Sequence, residues 1–168
     1  MDEDARPVAG FFGKIPATGD FVWRGLPDRF RQSWDAWITR HVAPALRAGD
    51  GPAAGGLRFR LVSGGRAAAG VILPSEDSAG RRFPLSLVLT ADDLPSPEAL
   101  DPWCDAAAAA PRDSADGLWE ALDALPAPEG PPPAGAPALW LWRRGGAPVE
   151  ADPADPSAAL AALSAEVS

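Results

Sequence analysis

Residues 10–38 read GFFGKIPATGDFVWRGLPDRFRQSWDAWI, a short apolar run, a loop punctuated by Gly13, Pro16 and Gly19, and then a helical stripe. Phe30, Trp34, Trp37, Ile38 and His41 recur at intervals of three and four, which places them along one side of a helix. Pro27 suits the first helical position, and Asp28 suits the positive end of the helix dipole. Buried aromatic side chains remove about 150–250 Å² each from water, so a helix with two indoles and a phenyl ring on one stripe needs a sheet to lie against. The spacing predicts strand, loop and helix, with the helix as a core element.

Downstream, Pro44 removes a backbone donor and ends the helical pattern near His41 or Val42. The stretch AGDGPAAGG at residues 48–56 reads as a flexible loop. Leu57, Phe59 and Leu61 then alternate with Arg58 and Arg60, the period of a strand with one buried and one wet face. Gly64 and Gly65 supply the positive φ angles of a tight hairpin. The chain returns over residues 67–73 as a strand buried on both faces and stops at Pro74. A third strand places Phe83, Leu85, Leu87 and Leu89 on one face, with Pro84 marking its start or an edge. Three strands joined in this way make an antiparallel meander.

Ser96, Pro97 and Glu98 form a helix start with a capping hydroxyl, and the alanine-rich stretch carries that helix to Ala110. Asp113 or Ser114 opens another helix, with Leu118, Trp119, Leu122 and Leu125 as its stripe. Residues 126–137, PAPEGPPPAGAP, form an extended surface connector. ALWLW at residues 138–142 is a further strand with Trp140 and Trp142 on one face, Gly145 and Gly146 turn the chain, and Asp155 and Pro156 start a last helix with Leu160, Leu163 and Val167 inward. The expected fold is α/β (α+β): one domain over residues 1–168, with a central, largely antiparallel sheet of about five strands and helices on both sides. Residues 1–7 read as a frayed tail.

At 168 residues the chain can bury about two thirds of its unfolded surface. Its 15 basic and 23 acidic residues give a net charge of −8, a sign that repels nucleic-acid backbones and anionic membranes. Cys104, the only cysteine, has no internal disulfide partner, and with His41 the only histidine no Cys/His metal cluster is possible. The first ten residues, MDEDARPVAG, are acidic where a signal peptide is basic and then apolar. No apolar run approaches the roughly 18–20 residues of a membrane span. The expectation is a cytoplasmic, reduced protein that neither inserts into a membrane nor binds nucleic acid, and that has no cofactor.

Lys14 follows Gly13 at a strand end, but Ile15 stands where a phosphate-binding loop needs Ser or Thr. Gly13, Pro16 and Gly19 instead shape a turn, in which Asp20 accepts hydrogen bonds from the loop's own amides. Ser75, Asp77 and His41 offer the residue types of a hydrolase triad without the glycines of a nucleophile elbow. Ser75 and Asp77 suit local side-chain to backbone bonds. Asp77, Arg81 and Arg82 allow two roles: an Asp77–Arg81 pair that holds the loop shut, and a guanidinium offered to a partner's carboxylate or phosphate. Trp23, Trp34 and Trp37 read first as core residues, and Trp23, between Val22 and Arg24 and ahead of the helix, has an exposed interface anchor as its alternative.

Two blocks, GKIPATGDFVWRGLP at residues 13–27 followed by FRQSWDAWI at 30–38, and VILPSEDSAGRRFPLSL at 71–87, resemble the two signatures of the TagF family, also called ImpM, of bacterial type VI secretion systems. Thr18, Glu76, Ser78 and Ala79 depart from the residues usual there and leave the frame intact. The resemblance implies a non-enzymatic, cytoplasmic, post-translational repressor of secretion that binds a forkhead-associated scaffold protein. It places the partner-binding set on Lys14, Asp20, Trp23, Ser75, Asp77, Arg81 and Arg82, with the two loops close together in space. The alternatives from other classes are a small-ligand or anion-binding sensor or enzyme using the same loops, and a structural accessory subunit of the apparatus. A deep cleft between the loops would favour the ligand alternative, and a shallow surface a protein partner.

Overall fold

The computed structural model describes residues 6–44 and 56–165. Residues 1–5, nearly all of the loop expected at residues 48–56, and Val167 lie outside the described residues. The strands are β1 (Val8–Gly13), β2 (Val22–Arg24), β3 (Leu57–Ser63), β4 (Arg66–Leu73), β5 (Leu85–Ala91), β6 (Leu139–Arg143) and β7 (Val149–Ala151). The helices are α1 (Asp28–His41), α2 (Pro97–Ala108), α3 (Ala115–Asp123) and α4 (Ser157–Ala165). All seven strands join one sheet in the order β2-β1-β5-β4-β3-β6-β7, antiparallel at every pairing. The β3-β4-β5 meander is as expected. The two strands beyond the expected five are β2 and β7, each three residues long and each at an edge.

Period-two alternation divides the sheet's side chains between two cores. Phe11, Val71, Leu85, Leu87, Leu89 and Trp142 face α2 and α3, whereas Phe12, Phe59, Ile72, Val88 and Leu141 face α1 and α4. Trp34 and Ile38 are the buried residues of the α1 stripe, and the Trp34 indole N–H donates to Ser86 Oγ at 2.8 Å, which fixes α1 on β5. Phe83 corrects the expected leucine face: it packs with Phe12 on the α1 side, because Pro84 separates it from the start of β5. Trp119 is a second correction, lying 38 % exposed and donating its indole N–H to Ala9 O at 3.2 Å. Ser114 caps α3 by accepting from Gly117 N at 3.0 Å, but Ser96 makes no such bond at the start of α2.

The face of β3 expected to be wet is dry. Arg58 and Arg60 point toward α2 and are each 1 % exposed. Arg58 donates to the carboxylates of Asp101 and Asp105 on α2, and Asp101 also accepts the Trp142 indole N–H at 2.9 Å. Arg60 donates to Asp93 at 3.1 Å and to the carbonyls of Leu94 and Pro95 at 2.7 and 3.0 Å. Burial presses both guanidinium pKa values down; for Arg58 the hydrogen bonds to Asp105 and Asp101 outweigh it and the net shift is upward, while Arg60 ends lowered. Cys104 sits in the same layer, and burial pushes its thiol up to about 12, which makes it inert at neutral pH.

The centre of the sheet is set by two kinds of glycine. Gly64 and Gly65 (φ 59° and 77°) close the β3–β4 hairpin over the Ser63–Arg66 pair. Gly70 serves close approach instead: a Cβ there would lie 1.9 Å from Leu87 O on β5. Gly70→Ala is expected to push β4 from β5 and destabilise the fold by about 1–3 kcal/mol, seen as a lower urea midpoint at unchanged slope. No helix among the described residues is long and apolar enough to cross a membrane.

Candidate functional site

The loop after β1 and the loop between β4 and β5 form one structure. Residues 76–82 make a small hairpin: Glu76 and Arg82 bridge, Asp77 N donates to Arg81 O at 3.0 Å, Gly80 N donates to Asp77 O at 3.0 Å, and Gly80 takes the positive φ of 81° that the turn needs. Phe83 N donates to Ser75 O at 3.1 Å and closes its base. The hairpin is bonded to the first loop through Ser78 N to Thr18 O at 2.8 Å and Arg81 Nη2 to Gly19 O at 2.7 Å.

Asp77 is the hub. It is 2 % exposed, and its Oδ1 accepts from the backbone N–H groups of Ala79 at 3.0 Å and Arg81 at 2.9 Å. Its Oδ2 takes Arg81 Nε at 2.8 Å and lies 3.3 Å from Lys14 Nζ. Burial works to raise this carboxyl, but the Arg81 amide, the Lys14 ammonium, the Ala79 amide and the Arg81 guanidinium together hold it down at about 2. Four donors on one carboxylate tie the two loops to each other.

The seven residues singled out in the sequence divide by what they touch. Lys14, Asp77 and Arg81 meet as expected, but Lys14 is 8 % exposed and directed inward, so it shapes the loops and presents no charge to a partner. Asp20 accepts the Phe21 amide at 2.7 Å, the local role expected of it. Ser75 Oγ is buried without a hydrogen-bond partner among the described residues, so the expected local side-chain to backbone bond at that residue is not formed. Arg82 is exposed and makes no ion pair or side-chain hydrogen bond with the described residues. Trp23 stands on β2, 40 % exposed.

Phe21, which the sequence does not single out, is 41 % exposed; its ring meets Phe83 edge-on at 4.8 Å and has Lys14 Nζ at 4.9 Å. The signal available was its spacing of two from Trp23, obscured because β2 is so short. The triad residue types do not assemble: Asp77 is occupied within its own loop, and His41 lies against the Trp37 ring at 5.5 Å. Among the described residues no group of three or more His, Cys, Asp and Glu could hold a metal ion. An apolar groove of about 690 Å³ runs between α1 and the β3–β4 turn, lined by Phe30, Trp34, Trp37 and Val62 among others, and none of the seven residues borders it.

Fold and site together define an α+β protein with a single antiparallel sheet and two loops locked into one rigid, partly aromatic surface. The profile of the TagF N-terminal domain, described as type VI secretion system-associated, matches residues 10–125, and the chain belongs to this family. The match takes in both loops, α1 and the sheet centre. Among solved structures the chain is similar to PA0076 from Pseudomonas aeruginosa PAO1, with 30 % identity and a TM-score of 0.58 over 94 % of this chain and 77 % of that one. Among curated protein sequences nothing matches.

Proposed function

We propose that this type VI secretion-associated protein is a non-enzymatic, post-translational repressor that acts in the cytoplasm by binding the forkhead-associated scaffold protein of its own secretion system. Occupying the scaffold keeps the apparatus from assembling or being activated. The observation that carries the reading is Arg82: an exposed guanidinium without a carboxylate of its own among the described residues, mounted on a hairpin that Asp77 holds rigid. A preorganised guanidinium is suited to bidentate bonding with a partner's carboxylate or phosphate.

The test is titration calorimetry of the full chain against the purified scaffold, with Arg82→Ala beside the wild type. Saturable binding is expected, weakened at least about tenfold by loss of a charge-assisted bond pair while the melting temperature stays put. Absence of wild-type binding at tens of micromolar would refute the reading.

A further inference from the structure

We infer that the scaffold is gripped along the outer edge of the sheet, by Phe21, Trp23 and Arg31, and that the segment seated there carries a carboxylate beside an apolar side chain. The inference rests on the function proposed above and assigns it a contact surface.

Phe21, one residue before β2, and Trp23 on it are two residues apart, and both rings lie on the same side, against Phe12. Both are about two fifths exposed, yet neither is loose. Beneath them lies the buried Phe12 ring, stacked on Phe21 at 5.9 Å and tilted against Trp23 at 6.4 Å, with Phe83 closing the far side of Phe21. Aromatic side chains held rigid before binding give large contact area with little ordering entropy to lose, which is why such residues dominate interface energetics.

Arg31 comes from the first turn of α1, where it is half-buried, and its guanidinium carbon lies 4.3 Å from the centre of the Trp23 ring. Its side chain makes no ion pair and no hydrogen bond with any described residue, and its Nε is buried without a partner among them. The contrast with Arg24, Arg58, Arg60 and Arg66, each set against an aspartate, is informative in a chain of net charge −8. A guanidinium held over an indole keeps its N–H edge free for a planar acceptor. The complement is a carboxylate with apolar surface next to it.

Strand addition at this edge is disfavoured. Arg24 Nη1 donates to Trp23 O at 2.7 Å, while Arg24 Nε pairs with Asp116 at 3.1 Å, so a side chain already covers the edge carbonyl. Recognition here is by side chains.

The experiment is calorimetry of the full chain and the purified scaffold with Trp23→Ala, Phe21→Ala and Arg31→Lys, each first checked by thermal melting. Trp23→Ala is expected to weaken binding at least about thirtyfold and Arg31→Lys at least about fivefold, because lysine keeps the charge and loses the planar fork. If Trp23→Ala fails to fold, Phe21→Ala and Arg31→Lys decide. Wild-type affinity in the folded variants, with Arg82→Ala still impaired, overturns this surface and leaves the scaffold reading standing. No binding of the wild-type chain overturns both.

Discussion

Replacing Asp101 and Asp105 together by alanine is expected to destabilise the protein by about 3–5 kcal/mol, because it strands a buried guanidinium without a counter-charge. Arg58 is 1 % exposed, while its two carboxylates are 34 % and 45 % exposed at the rim of α2. The acidic partners could return to water if released, but Arg58, on an inner strand between β4 and β6, cannot. Removing Asp101 also deprives the Trp142 indole of its acceptor. Set against the 5–15 kcal/mol typical of whole domains, the loss brings the protein close to unfolding. Arg58→Met is expected to cost far less than the aspartate pair, since an apolar side chain of similar length suits the layer around Trp103 and Cys104. Urea unfolding of the three proteins decides the point: equal midpoints for Arg58→Met and the double aspartate variant would mean that the charge contributes nothing beyond its packing.

That arginine layer also shows where sequence reading ended. Alternation of leucine and phenylalanine with arginine gives the strand, its register and the identity of one buried face, because side chains of period two must go to opposite sides. It does not tell a solvated face from a salt-bridged one. The difference lies in residues 33–47 positions away, Asp93 in the segment before α2 and Asp101 and Asp105 on α2, whose own stripe explains that helix without reference to β3. The usable signal was the spacing of four between Asp101 and Asp105, which puts two carboxylates one turn apart beside the buried Leu100 and Cys104. The edge strands escaped for a different reason: three residues, as in VWR and VEA, hold too few alternations to establish a period. Phe21 was lost with them.

Legibility of the candidate site followed the range of its bonds. The Asp77–Arg81 pair is local, four residues apart, and could be named from sequence; so could the bond of Asp20 to a neighbouring amide. Lys14 reads equally well as a charge offered to a ligand and as one turned inward. Only the pairing of β1 with β5, which delivers the end of one strand to the start of the other, brings it within 3.3 Å of Asp77. Arg81 and Arg82 are neighbours with the same chemistry, yet the hairpin turns the first back onto the Gly19 carbonyl and leaves the second exposed. A substitution at Arg81 therefore disturbs the loop, and one at Arg82 reports on the surface.

Asp77→Asn, which keeps the shape and removes the charge, is expected to lower the melting temperature and weaken scaffold binding by roughly tenfold or more. The amide side chain cannot neutralise Lys14, whose side chain is 10 % exposed, and one of its two head atoms is a donor facing other donors. Hydrogen exchange at the Ala79 and Arg81 amides, both bonded to Oδ1, should quicken in the variant while exchange in β4 stays slow. The acid dependence follows from the depressed carboxyl. Because the folded state holds Asp77 at about 2, below its ordinary 3.8, the stability it contributes is complete above about pH 4 and is lost as pH falls through that interval toward 2. Between pH 4 and 2 the wild-type melting temperature should therefore fall more steeply than that of Asp77→Asn, and the two curves should converge at the acid end. Parallel curves, or unchanged exchange at Ala79 and Arg81, would show that the hairpin is held by its backbone bonds and that Asp77 is not its clamp.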